Sequence, residues 1–224
     1  MQKRWTKLSI LAFSHQVFDP VGCLIPIMVS AKAILQKCWK NKLDWKDDLT
    51  AEIDQEWRAW VADVCQMTPI AIPRVLFPGY PSEEDIRTKE LHIFADAADV
   101  AYCAVAYTKQ NLNNKGNVSF CLARGRLGPA RGKKTTPRME LMALDLGSKL
   151  AVYIAPTLNI EKERVFLWSD STTALQWTLQ FRPLRVSSQM RGQFTNQTLP
   201  DSIQCLDKNF ILDQVVRAQW CSLS

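Results

Sequence analysis

The stretch 90-ELHIFADAADVAYCAVAYT-108 marks a change of period in the chain. Its first seven residues alternate, with Leu91, Ile93 and Ala95 on one face and His92, Phe94 and Asp96 on the other. That is the two-residue period of a half-buried β-strand. A second apolar run, 101-AYCAVAYT-108, starts a few residues later, so Asp96 stands at a strand end beside a turn. An unpaired carboxylate inside a core is costly, so Asp96 is either a turn residue or a ligand.

Working downstream, 117-NVSFCLAR-124 reads as a third strand, and the polar 109-KQNLNNKG-116 as the hairpin loop before it. The segment 136-TPRMELMALDLGSKLAVYI-154 opens with Thr-Pro and carries Met139, Met142, Ala143, Leu146 and Leu150 along one helical face. A strand, 164-RVFLWSD-170, and a further helix starting at 171-STTALQWTLQ-180 complete the order β-β-β-α-β-α. This order predicts an α/β fold with a mixed sheet and helices packed on it.

Upstream, the period is helical. In 31-AKAILQKCWK-40 the residues Ala31, Ile34, Leu35 and Cys38 fall at i, i+3, i+4, i+7, and in 50-TAEIDQEWRAWVADV-64 Ile53, Trp57, Trp60, Val61 and Val64 form one stripe behind a Thr50 cap. The proline-bracketed 18-FDPVGCLIP-26 predicts a turn feeding the first of these helices. The tryptophans between 39 and 60 read as core rather than as base-stacking surface. Four prolines and a charged run in 68–89 place a linker at 71–89, dividing a small helical region, 1–70, from a domain over 90–180 and a tail over 181–224.

The chain has 224 residues, 47% of them hydrophobic, enough for a sizeable core. Its seven cysteines are scattered and never form a CxxC pair, which argues against a disulfide framework or a zinc site. No run is long and apolar enough for a membrane span, and no signal peptide is evident, so an intracellular location, cytoplasmic or nuclear, is expected. Residues 1–90 balance 12 basic against 12 acidic side chains, whereas 91–224 hold 16 and 10. The excess positive charge of the second part favours a polyanionic partner.

Three acids occupy comparable positions: Asp96 ends the first strand, Glu140 lies in the first turn of the long helix, and Asp170 ends the fourth strand. If those strands pair, the three can form one carboxylate cluster, which repels itself unless divalent cations occupy it. Hard oxygen donors suit Mg²⁺, with Mn²⁺ as an alternative, and two such ions can activate a water and stabilise the leaving oxygen of a phosphodiester. Each acid also has a plainer reading: Asp170 as a helix cap, Asp96 as a turn residue, Glu140 as a helix-dipole partner. Ahead of the helix, 124-RGRLGPARGKKTTPR-138 carries Arg124, Arg126, Arg131, Lys133, Lys134 and Arg138 without an acid, a segment suited to phosphates.

The motifs 92-HIFADAA-98, 137-PRMELMAL-144 and 166-FLWSDSTTALQW-177, with their acids 44 and 30 positions apart, resemble the ribonuclease H-like domain of Pao/BEL-type retrotransposon polyproteins. Segments 8-LSILAFSHQVFDPVGCLIP-26 and 36-QKCWKNKLDWKDDL-49 are similar to the connection region that follows the reverse transcriptase core in that family. The resemblance covers about residues 3–180. It implies that Asp96, Glu140 and Asp170 are the metal-binding, catalytic acids of a Mg²⁺-dependent nuclease. It also implies an RNA–DNA hybrid as substrate, met through its backbone and 2′-hydroxyl groups, and an upstream reverse transcriptase core as partner. Beyond residue 180 the family's Asn-Pro-Ala-Asp-like segment, which supplies a fourth ligand, has no counterpart; Asp201, Asp207 and Asp213 occur without a recognisable context. A nucleic-acid-binding relic without catalysis, or an interaction module built on the helices of 31–64, is therefore the alternative.

Overall fold

The computed structural model describes residues 4–77, 88–112, 115–130, 135–179 and 203–205. The chain opens with α1 (Lys7–His15), a helix that the apolar periodicity does not announce. Its start is nonetheless locally encoded: Thr6 Oγ1 accepts from Ser9 N–H at 3.3 Å while Ser9 Oγ accepts from Thr6 N–H at 2.7 Å, a reciprocal cap. Helix α2 (Ile25–Lys40) begins six residues before the expected stripe, with Pro26 in its first turn where a missing N–H costs nothing. Helix α3 (Ala51–Cys65) follows the expected stripe; Thr50 sits at the cap position, although its side chain makes no capping bond.

These three helices share a separate hydrophobic cluster. Trp57 is fully buried, stacks on Trp60 at 4.8 Å between ring centroids, and meets Trp5 and Phe13 edge-on at 5.6 and 5.8 Å. Tight aromatic packing of this kind is core material. Trp39 and Trp45 instead lie half exposed, with the Lys7 ammonium 5.0 and 4.6 Å from their ring centroids.

The turn before α2 is built by Asp19, whose carboxylate accepts from the N–H groups of Gly22, Cys23 and Leu24 at 2.8, 3.0 and 2.8 Å. Gly22 has φ +82°, and a Cβ there would collide with the Ala123 carbonyl. The close approach lets Ala123 N–H donate to Val21 O at 2.8 Å, joining the helical part to the sheet. Gly22→Ala is accordingly expected to destabilise the chain by roughly 2 kcal/mol or more, from left-handed strain plus the clash. Thermal denaturation of the two chains side by side checks this.

The sheet comprises β1 (Glu90–Ala97), β2 (Ala101–Leu112), β3 (Lys115–Leu127), β4 (Val165–Ser169) and β5 (Ile203–Cys205), in the spatial order β3-β2-β1-β4-β5. Strands β1, β2 and β3 form an antiparallel meander, as expected, but the hairpin is longer: the polar residues read as a loop continue both strands to Leu112 and from Lys115. Strand β4 pairs parallel with β1, and β5 parallel with β4. Strand β5 arises from the tail, where no strand was expected.

A parallel β1–β4 pair requires a crossover, supplied by α4 (Thr136–Thr157) and a 3₁₀ turn at Lys162–Arg164. Helix α4 lies on the face that carries Leu91, Ile93 and Ala95, all fully buried. It settles close: a Cβ at Gly147 would come within 2.7 Å of Leu167 Cδ1. The final described helix is α5 (Thr172–Leu179).

The other sheet face bears a half-buried aromatic row of Phe94, Tyr107, Phe120, Phe166 and Trp168, with His92 stacked on Phe166 at 4.9 Å. Trp168 Nε1 donates to His92 Nδ1 at 3.1 Å, which leaves His92 Nε2 to donate to Glu90. Burial lowers the His92 pKa against the pull of Glu90, so the ring is a neutral structural element.

Candidate active site

Two strands and one helix bring the three acids together. The parallel register pairs Phe94 with Trp168, and two further residues along each strand are Asp96 and Asp170. Glu140 is the fifth residue of α4, one position past the first turn in which the sequence reading placed it, and only 6% exposed. One carboxylate oxygen from each of Asp96, Glu140 and Asp170 lies within 4.8 Å of the others.

The plainer readings of these acids weaken at close range. Ser171, not Asp170, caps α5, its Oγ accepting from Ala174 N–H at 3.3 Å. Asp170 Oδ1 is buried with no hydrogen-bond partner among the described residues. Glu140 lies beyond the turn where a helix dipole favours an acid most. Asp96 does take part in its local turn, accepting from Ala97 N–H at 2.7 Å.

The site is electrostatically crowded. Loss of water around its carboxyl group pushes the Asp96 pKa up, although the residue as a whole is exposed, and the negative charge of Asp170 adds to the rise. Cys103, opposite Asp96 on β2, has its thiol pushed up to about 11, chiefly by burial and then by the charges of Asp96 and Glu140. No spacing in the sequence pointed to this thiol; only the strand register reveals it. Three carboxylates from separate elements, converging within 4.8 Å, form a donor set suited to a hard divalent cation.

The basic segment is divided by the fold. Arg124, on β3, donates to the carbonyls of Pro20 and Ala123 at 3.3 and 3.1 Å, which makes it part of the join to the helical region. Arg126 on β3 and Arg138 in the first turn of α4 are exposed. Arg131, Lys133 and Lys134 lie outside the described residues, as do Asp201, Asp207 and Asp213. Among the described residues, no helix is long and apolar enough to cross a membrane.

Comparison with known proteins supplies one family. A family model described as the Pao retrotransposon-like RNaseH-like domain matches residues 6–171. No curated protein matches. Among solved structures, the chain is similar to a foamy viral protease-reverse transcriptase "dRH" in complex with double-stranded DNA, at 12% identity and a TM-score of 0.45. That match covers 89% of this chain and 34% of the viral one, so the chain spans about a third of its length. A weaker likeness, at 12% identity and a TM-score of 0.29, is to the Ppx/GppA family member of Aquifex aeolicus, over 58% of this chain and 40% of that one.

Proposed function

The chain belongs to the Pao retrotransposon-like RNaseH-like domain family, and we propose that it hydrolyses the RNA strand of RNA–DNA hybrids with divalent cations held by Asp96, Glu140 and Asp170. The observation that carries this reading is the approach of the three carboxylates to within 4.8 Å of one another. When bound, Mg²⁺ or Mn²⁺ supplies an activated water and stabilises the charge developing on the leaving oxygen of a phosphodiester.

The chain's own residues do the rest. The three acids hold positive charge at one point because each is fixed by a different element, so the donors need little reorganisation. Exposed Arg126 and Arg138 provide positive charge for backbone phosphates, which position a nucleic acid without reading its sequence. Within a longer polyprotein, residues 1–70 would serve as the connection region behind a reverse transcriptase core, with 71–89 as linker and 90–180 as the catalytic domain.

The test is cleavage of a labelled RNA–DNA hybrid by the purified chain in Mg²⁺, beside Asp96→Asn. Cleavage that disappears in the variant is the expected result. A second reading, a nucleic-acid-binding relic, is favoured by the lack of a recognisable fourth acidic segment after Asp170. It predicts hybrid binding by both chains and cleavage by neither.

A further inference from the structure

Helix α2 and the outer edge of β3 enclose a groove of about 460 Å³ that the three acids do not account for. Lys32, Gln36 and Trp39 line it from the helix, Arg126 and Leu127 from the strand, with no acidic side chain in the wall among the described residues. Gln36 Nε2 donates to Gly128 O at 3.2 Å, which fixes the helix against the chain leaving the strand. Lys32 and Arg126 are exposed, and neither forms an ion pair among the described residues.

The groove is aligned with the acids. Register pairs Asp96 with Cys103 and Cys103 with Gly125, so the three lie across adjacent strands at one level of the sheet. Two strand spacings put Gly125 about 10 Å from Asp96. Gly125 itself lines the groove, and α2 begins directly over it: a Cβ at Gly125 would collide with Ile25. The groove therefore begins about two strands from the carboxylates, and its two cations, Lys32 and Arg126, form no ion pair among the described residues.

We infer that this groove is a second nucleic-acid contact, in which Lys32 and Arg126 bind phosphates of the strand leaving the carboxylate site and Trp39 offers its exposed surface to a sugar or base. The inference rests on the nuclease reading for its ligand and assigns to the helical region a direct share in substrate binding. Charge decides the occupant: among the described residues, two cations without an ion pair and an apolar floor without acids suit a polyanion with stackable bases. Trp39 is 47% exposed, so one part of its surface remains available beside its contacts with Lys7 and the edge-on Trp45 ring.

The test measures binding of the full chain to a fluorescent RNA–DNA hybrid in EDTA across a salt series, for wild type, Lys32→Glu/Arg126→Glu and the milder Lys32→Gln/Arg126→Gln. Both positions are exposed, and matching melting curves establish that the variants fold. The charge-reversed chain is expected to bind at least tenfold more weakly near 0.1 M salt. Its salt dependence should lose about two units of log–log slope, close to 0.9 per phosphate contact. The neutral variant should show the same loss of slope with a smaller loss of affinity. Variants that bind with wild-type affinity and slope would overturn the groove while leaving the nuclease reading intact. Failure of the wild-type chain to bind any hybrid would overturn both, whereas weakened variants in a chain that never cleaves would sustain the groove and sink the nuclease.

Discussion

Replacing Glu140 by glutamine is expected to lower Mg²⁺-dependent hybrid cleavage by roughly a thousandfold, the loss of about 4 kcal/mol of charge stabilisation at the reacting phosphate. Glutamine keeps the shape of this 6%-exposed side chain and removes its charge. The same change should leave the metal-free chain more stable, because three carboxylates within 4.8 Å repel one another. Relief of about 1 kcal/mol corresponds to a melting temperature higher by roughly 2–4 °C for a chain of this size. Added Mg²⁺ should stabilise the wild type, since a ligand bound only by the folded state raises its stability, and should do little for the variant. Melting curves with and without Mg²⁺, beside a cleavage assay, check all three effects. A purely structural glutamate would instead give a less stable variant at either Mg²⁺ concentration.

Trp57→Ala is expected to cost about 3–5 kcal/mol, the range for truncating a buried aromatic side chain. Trp57 is fully buried at the centre of the α1–α3 cluster, against Trp5, Phe13 and Trp60, so the cavity would be lined on several sides. A melting temperature lower by roughly 10 °C follows. Because the carboxylates belong to the sheet and α4, outside this cluster, the stabilising effect of Mg²⁺ should survive wherever the variant is folded. Wild-type stability for this variant, measured by thermal denaturation, would contradict the packing described above. The result also bears on the interaction-module alternative, since of the four tryptophans between 39 and 60, Trp57 and Trp60 are spent on packing and Trp39 and Trp45 present surface outward.

The order β-β-β-α-β-α was legible because each of its elements repeats a strong period: alternation in 90–96, a continuous apolar face along α4, and a strand ending in Ser-Asp before a capped helix. The strand-end positions of Asp96 and Asp170 were legible for the same reason, since a strand end is where a carboxylate can leave the core, whereas Glu140 lies buried in α4, one position past the turn in which it was expected. Helix α1 was not, because its apolar residues do not form a single stripe and its start depends on the local pairing of Thr6 with Ser9. The hairpin was misjudged because Lys109, Gln110 and Asn111 are polar. Backbone pairing with β3 holds them in a strand, and the buried Gln110 and Thr108 show that its polar side chains do not all face water. Strand propensity is mostly a measure of such surroundings, which the residues alone do not carry. Cys103 beside the acids and the groove between α2 and β3 depend on register and on contacts between segments about 90 residues apart, as in the bond from Gln36 to Gly128. No local pattern encodes either.

The most direct test of the account is single-turnover cleavage of a hybrid labelled on each strand, by wild type and Asp170→Asn, in saturating Mg²⁺ and with binding measured on the same samples. Asp170 is the informative position, since its Oδ1 is buried without a partner among the described residues and its role as a helix cap is taken by Ser171. The account predicts that the wild type cuts the RNA strand and spares the DNA strand, while the variant binds the hybrid and cuts neither. A folded wild-type chain that binds the hybrid without cutting it, or an Asp170→Asn chain that cuts as fast as wild type, would contradict it.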